Sequence, residues 1–184
     1  MKRLFIWVEG NDDMLFFNRI VKPIFLAEYD AVEVRQYAQM KTEKLQRLIQ
    51  GLLQIGADVL VACDIDFHPC VTSKKHYIKH RFRLVSDARI VVVIQEIESW
   101  YLAGLTNYSS EKLKVRRFPS TDQITKEAFA ELKPKNCSRI SFMLSILKRY
   151  SMRTAIKKNR SFAYFFHKHL EPAIFLSREK IIRH

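Results

Sequence analysis

The sequence predicts an α/β fold, with a mainly parallel four-stranded sheet and a helical C-terminal extension. Short apolar runs alternate four times with amphipathic segments within residues 3–105. This alternation is typical of parallel strands joined by crossover helices. After about residue 106 the pattern changes and helical segments dominate. We therefore predict an α/β core over residues 1–105 and a helical extension over residues 106–184 that packs on it.

Four short apolar runs are the predicted strands, at residues 3–8, 31–37, 58–63 and 89–95. The third and fourth runs are almost entirely apolar, as is typical of parallel strands buried on both faces. The second run alternates only loosely between apolar and polar residues. Because a helical segment follows each run, we expect the strands to run parallel.

The helices are predicted from apolar residues that recur at three- and four-residue spacing. In the core, one helix is expected to begin at Asp12, and three more are expected over residues 42–53, 73–84 and 96–105. Asn11 is expected to cap the first helix, Pro23 to kink or end it, and Gly56 to end the second. In the extension we expect helices over residues 121–132, 138–150 and 161–170.

Composition indicates a soluble globular protein. Hydrophobic residues make up 48% of the 184 residues, and glycine and proline are scarce at 4 and 5, which argues against disorder. The first apolar run stops at Glu9, which is too short for a signal peptide. The longest aliphatic run, residues 90–94, is too short for a membrane span. We expect a cytoplasmic protein that has no membrane partner.

The charge is strongly positive and unevenly distributed. The net charge is +13, yet residues 1–70 hold 8 Lys/Arg and 10 Asp/Glu. The remaining residues carry the basic excess. A basic surface attracts nucleic acid through phosphate contacts and counterion release, so we predict a nucleic-acid partner.

Acidic residues follow three of the four predicted strands. Glu9, with Asp12 and Asp13 behind it, follows the first strand, and Asp64 and Asp66 follow the third. Two further acids, Glu96 and Glu98, follow the fourth strand. In parallel sheets the ligand site lies beyond the carboxyl ends of the strands. We therefore expect these acids to share one pocket.

Carboxylates brought together repel one another unless a cation lies between them. Oxygen donors without clustered histidine or cysteine suit Mg²⁺ or Mn²⁺, and two ions could clamp a phosphodiester. The candidate metal ligands are Glu9, Asp13, Asp64, Asp66 and Glu98, and the candidate catalytic residues are Glu9, Asp64 and Asp66.

Structural interpretations compete at several of these positions. Asp12 is better explained as a helix-start residue favoured by the helix dipole, and Glu96 is also interpreted as structural. Asp13 and Glu98 suit either interpretation. His68 and Cys70 lie near the aspartates, but their spacing matches no standard zinc pattern. The three cysteines form no CxxC pair, so we expect no disulfide framework.

The strand-end motifs resemble those of the Toprim domain, which has a Rossmann-like α/β core. Val8-Glu9-Gly10 after the first strand and Asp64-Ile65-Asp66 after the third carry this resemblance. The string from Glu9 to Asp13 is similar to the version in the overcoming-lysogenization-defect (OLD) nucleases. The string from Glu98 to Ala103 is similar to one in small stand-alone Toprim-like proteins. The resemblance covers about residues 3–105 and, more weakly, the helical segments that follow.

The resemblance implies Mg²⁺-dependent phosphodiester chemistry. Glu9 would be a metal ligand or general acid/base, and Asp13, Asp64 and Asp66 would be metal ligands. OLD-type nucleases also use a downstream lysine to neutralise charge, for which the candidates are Lys126, Lys133 and Lys135. This chain departs from that family because it lacks a phosphate-binding ATPase motif, so any ATPase would be a separate protein.

The leading functional hypothesis is a metal-dependent nuclease acting on DNA or RNA. The alternatives are a non-catalytic nucleic-acid-binding module within a larger complex and, less favoured, a phospho-acceptor receiver domain, which would need a lysine after a fifth strand. A haloacid-dehalogenase-type phosphatase ranks lower because its Asp-x-Asp motif follows the first strand.

Basic residues in two regions are predicted to hold the nucleic-acid backbone, with a merely solvated surface as the alternative. They are Lys74, Lys75, Lys79, Arg81, Lys157, Lys158 and Arg160.

Overall fold

The protein is an α/β protein built on a four-stranded, all-parallel sheet in the order β2-β1-β3-β4. The computed structural model describes residues 1–175. The described chain divides into two compact units. The first contains Met1–Val92 and the described residues from Lys168 onward, and the second is Val93–His167. The division falls earlier in the chain than the boundary at residue 105 that the sequence suggests.

The strands lie where the apolar runs predict them. They are β1 (Arg3–Val8), β2 (Ala31–Gln36), β3 (Asp58–Asp64) and β4 (Ile90–Val93). β1 pairs in parallel with β2 from Arg3 opposite Ala31 to Val8 opposite Gln36, and with β3 on its other side. β4 is shorter than the apolar run over residues 89–95 that predicts it, and covers only Ile90–Val93.

Helices connect these strands. They are α1 (Asn11–Phe16), α2 (Lys22–Phe25), α3 (Thr42–Gln54) and α4 (Val71–Lys79), and a π-helical segment, Phe17–Val21, joins α1 to α2. Asn11 does not cap α1 as expected, because Gly10 occupies the N-cap and Asn11 is the first helical residue. Pro23 lies at the start of α2, after the π-helical segment, so the helical path continues past it.

The core of the first unit fills one face of the sheet. Phe5 and Trp7 of β1 and Val59, Val61 and Cys63 of β3 alternate along their strands and point to this face. Side chains from α3, α4 and the turn after α4 cover them: Leu45, Ile49, Ile78, Phe82 and Val85. The intervening residues of β1 are also buried, so β1 is a central strand buried on both faces.

The second unit is helical. Its helices are α5 (Ile97–Ala103), α6 (Asn107–Lys112), α7 (Lys126–Leu132), α8 (Arg139–Leu147), α9 (Met152–Lys158) and α10 (Arg160–Phe165). The helix predicted over 121–132 begins only at Lys126, where the Thr125 side chain accepts a hydrogen bond from the backbone N–H of Ala128. Trp100 stacks on Phe165 at the centre of this unit. Across the described chain, no helix is long and apolar enough to cross a membrane.

Gly104 provides a sharp test of packing in the second unit. A Cβ atom at Gly104 would lie 2.2 Å from a ring carbon of Tyr150. Gly104→Ala should therefore lower the free energy of unfolding by about 1–3 kcal/mol through overpacking. Urea denaturation measures this change.

Gly51 is the matched control, because it lies within α3 and a Cβ there would meet nothing within 4 Å. Gly51→Ala should raise the free energy of unfolding by about 0.5–1 kcal/mol, because alanine loses less backbone entropy in a helix. Equal effects of the two substitutions would contradict the close contact between Gly104 and Tyr150.

His169 should make stability depend on pH. Burial, with smaller effects of Lys168 and Arg89, lowers the pKa of His169 to about 4. The folded state therefore favours the neutral imidazole, whose contribution is complete above the unfolded pKa of about 6.5 and is lost as the pH falls toward about 4. Because the ring is only partly buried, we expect a loss of about 1–2 kcal/mol.

Urea denaturation of wild type and His169→Gln between pH 7.5 and 4 measures this contribution. The stability difference between the two proteins should shrink over that range, because glutamine does not titrate. His167→Gln, at an exposed histidine, is the control. This substitution should leave the dependence of stability on pH as it is in the wild type. A constant difference between wild type and His169→Gln would show that His169 does not cause the pH dependence.

Candidate active site

The candidate site lies at the carboxyl edge of the sheet, between β1 and β3. In the order β2-β1-β3-β4, the chain leaves β1 toward β2 on one side and leaves β3 toward β4 on the other. Such a reversal opens a crevice at the strand ends, where open parallel sheets bind their ligands. Glu9 directly follows β1, Asp64 is the last residue of β3, and Asp66 lies two residues further on.

Lys74 joins two of these acids. Its side chain starts in the first turn of α4 and is 1% exposed. The ammonium group forms ion pairs with Asp66 Oδ2 and, at 3.6 Å, with Glu9 Oε1. Because both carboxylates contact the same nitrogen atom, acids from the ends of β1 and β3 lie close together.

The environment keeps Lys74 charged. Burial lowers its pKa, but the hydrogen bond to Asp66 and the nearby charge of Glu9 outweigh burial and raise the pKa above its ordinary value. From the sequence, Lys74 is predicted to be one of several basic residues that hold the nucleic-acid backbone. The structure instead makes it an internal cation, and only its buried position after β3 distinguishes it from Lys75.

Tyr37 orients Glu9. Tyr37 directly follows β2, is almost fully buried, and its hydroxyl donates a 2.8 Å hydrogen bond to Glu9 Oε1. Burial and the negative charge of Glu9 raise the pKa of Tyr37 well above its usual range, so the phenol keeps its proton. Tyr37 was not among the residues predicted for the site, although its position at the end of β2 is a signal that the sequence contains.

Asp13 is buried close to this pair. Its Oδ2 accepts a 3.0 Å hydrogen bond from the backbone N–H of Gly10, and its charge contributes to the raised pKa of Tyr37. A Cβ on Gly10 would lie 3.3 Å from that oxygen, so glycine suits the close approach. Asp13 therefore has a capping role at the start of α1 beside any metal-binding role.

The loop after β3 has an uncommon backbone. Asp66 has a φ of 49°, in the left-handed region that aspartate tolerates better than most residues. Residues in this region concentrate at functional sites, where the surrounding structure holds them.

Cys63, the residue before Asp64, is buried, and burial raises the pKa of its thiol, so it is a core residue and not a nucleophile.

Glu98 belongs to the second unit. It lies in the first turn of α5, is 3% exposed, and forms an ion pair with Arg139 at the start of α8. Glu96 precedes α5 and accepts a hydrogen bond from the backbone N–H of Lys126. Within its own unit, Glu98 therefore has a positive partner in addition to its predicted metal-binding role.

The basic residues predicted to bind nucleic acid differ in their surroundings. Arg81 donates hydrogen bonds to the carbonyl oxygens of Tyr37 and Met40, which fixes the end of β2. The partners of the others are as follows: Lys75 donates to Asp87 O, Lys79 pairs with Asp87, Lys158 donates to Leu105 O, and Arg160 pairs with Asp122. Lys157 is exposed.

The donor chemistry suits a hard cation, because the acids of the first unit offer only carboxylate oxygens. In residues 1–175, however, no group of three or more His, Cys, Asp or Glu side chains is arranged to hold a metal ion. Lys74 is the positive charge that the arrangement places between Glu9 and Asp66.

Comparison with protein-family models, with curated proteins and with solved structures gives no match for this chain.

Replacing Lys74 tests the charge balance of the site. Lys74→Met keeps most of the side-chain volume but leaves Glu9 and Asp66 without their shared cation. Because Asp66 is half exposed, water screens part of the repulsion, and we expect a loss of about 2 kcal/mol in the free energy of unfolding.

Lys75→Met is the matched control for this substitution. Its ammonium group donates to a backbone carbonyl on a more exposed surface, so its loss should change stability by less than about 0.5 kcal/mol. Urea denaturation at neutral pH compares the two proteins. Similar stabilities of the two variants would contradict the internal ion pairs of Lys74.

Proposed function

We propose that this protein is a Mg²⁺- or Mn²⁺-dependent nuclease with a Toprim-like carboxylate site. The observation that carries the proposal is the meeting of Glu9 and Asp66, from the ends of neighbouring parallel strands, beside the crevice of the sheet. The strongly basic chain supports a polyanionic substrate. DNA and RNA are both compatible with this reasoning.

Glu9, Asp64 and Asp66 are the proposed catalytic residues and metal ligands, and Asp13 is a further proposed metal ligand of the same unit. A bound divalent cation would supply an activated water molecule and stabilise charge on the phosphate. Tyr37 would hold the Glu9 carboxylate in position through its hydrogen bond. The raised pKa of Tyr37 keeps it a donor throughout the neutral range.

Lys74 is our candidate for the lysine that neutralises charge at the reacting phosphate. Its ammonium group already contacts two of the proposed catalytic carboxylates. The sequence-based candidates have other surroundings: the ammonium group of Lys133 donates to Cys137 O, and the backbone N–H of Lys126 donates to Glu96.

The remaining parts of the proposal concern context. A separate ATPase protein is a proposed partner, because OLD nucleases carry an ATPase module and this chain has no phosphate-binding ATPase motif. We also propose a cytoplasmic location, which the three free cysteines support.

Cleavage assays with the purified full chain test the proposal directly. With Mg²⁺ or Mn²⁺, the wild type should cleave plasmid, single-stranded DNA or RNA, and EDTA should abolish cleavage. Glu9→Gln, Asp64→Asn and Asp66→Asn should each lower the rate by about 100-fold or more, because each removes a negative ligand while preserving side-chain shape.

Glu43→Gln is the matched control. Glu43 is an exposed acid in the first turn of α3, so its loss should not change the rate. Circular dichroism should show that all variants are folded. Cleavage that survives in the three site variants would indicate a contaminating nuclease and would overturn the assignment.

A non-catalytic nucleic-acid-binding module is the second candidate. The ion pairs of Lys74 favour it, because they neutralise two of the acids without any metal. Binding of nucleic acid without cleavage under either metal would support this candidate over the nuclease.

A further inference from the structure

An exposed aromatic residue directly follows the proposed catalytic residue Asp66 in the chain. Phe67 follows Asp66 in the loop after β3, and its side chain is fully exposed. Leaving a phenyl ring in water forgoes the free energy that its burial would provide. The neighbouring Tyr77 is also more than half exposed, and its ring lies 5.0 Å from that of His68. The loop and α4 therefore present aromatic surface next to the acids.

A basic groove runs along another part of α4 and the turn after it. Its volume is about 660 Å³. Its lining includes hydroxyl, imidazole and cationic side chains from Thr72, Ser73, His76, Lys79, His80 and Arg83. Asp87 is the acid of this lining, and Lys79 already neutralises it at 2.9 Å. Arg83 forms no ion pair with an acid of residues 1–175, and its charge and the hydrogen-bond donors of the lining suit a phosphate group.

We propose that the loop after β3 and the groove along α4 bind single-stranded nucleic acid, with a base stacked on Phe67 and backbone phosphates in the groove. A duplex hides its base faces within the stack, whereas an unpaired strand can offer one to an exposed ring. The loop adjoins the groove, because the ring of His68 hydrogen-bonds at 3.3 Å to Ser73 of the lining. Exposed aromatic surface and a cationic groove together suit sequence-tolerant binding of a single strand. This inference deepens the proposed nuclease function, because it names the substrate class of the same site.

Binding without metal tests the inference separately from catalysis. Fluorescence anisotropy in EDTA would measure the affinity of the full chain for three labelled ligands: a single strand, its duplex, and an abasic strand of equal length. The wild type should bind the single strand at least about tenfold more tightly than the duplex.

Phe67→Ala should weaken binding of the single strand about tenfold, and Phe67→Trp should restore it, because tryptophan also stacks. On the abasic strand, Phe67→Ala should have no effect. Tyr108→Ala, at an exposed aromatic residue of the second unit, is the control and should bind as the wild type does.

Arg83→Ala should weaken binding to normal and abasic strands alike and make the dependence on salt shallower by about one phosphate contact. Unchanged binding by Phe67→Ala, or equal affinity for duplex and single strand, would overturn the inference. The two proposals fail separately. Binding of the single strand through Phe67 without any cleavage would contradict the nuclease proposal. Cleavage that is unchanged in Phe67→Ala would contradict the proposed single-stranded substrate.

Discussion

The buried ammonium group of Lys74, held between two carboxylates, is the interaction on which the candidate site depends. Bringing Glu9 and Asp66 together without a cation would set two like charges side by side in a partly desolvated pocket. A buried lysine without acids would be equally costly. Each charge therefore makes the others tolerable, and the ends of β1 and β3 and the first turn of α4 are fixed relative to one another.

The parallel sheet explains why these groups meet. β1 and β3 are adjacent although β2 lies between them in sequence, so residues more than fifty positions apart reach the same edge. Tyr37, at the end of β2, contributes from the other neighbour of β1. The topology thus gathers side chains from three strand ends at one edge of the sheet.

Local patterns were sufficient for the strands and insufficient for the helix ends. Apolar runs identified the central strands β1 and β3 because such strands are buried on both faces, and β4 because it is buried along its whole length, whereas β2 at the sheet edge was predicted from a looser alternation. The helix expected to reach residue 84 ends at Lys79, since Phe82 and Val85 are buried from a turn and imitate a continuing apolar face. Likewise, the side-chain cap of Thr125 starts α7 later than hydrophobic periodicity alone suggests.

The same distinction applies to the site. Glu9 and Asp66 could be predicted to meet because each follows an apolar strand, and strand ends share an edge. Lys74 could not be assigned in this way, because in the sequence it is one cation of a Lys-Lys pair, and only burial separates it from Lys75. A net charge of +13 describes what the whole surface attracts, but it cannot say which cation faces inward. The fold determines which cation faces inward, and here it places the Lys74 ammonium group against Glu9 and Asp66, the acids that follow β1 and β3.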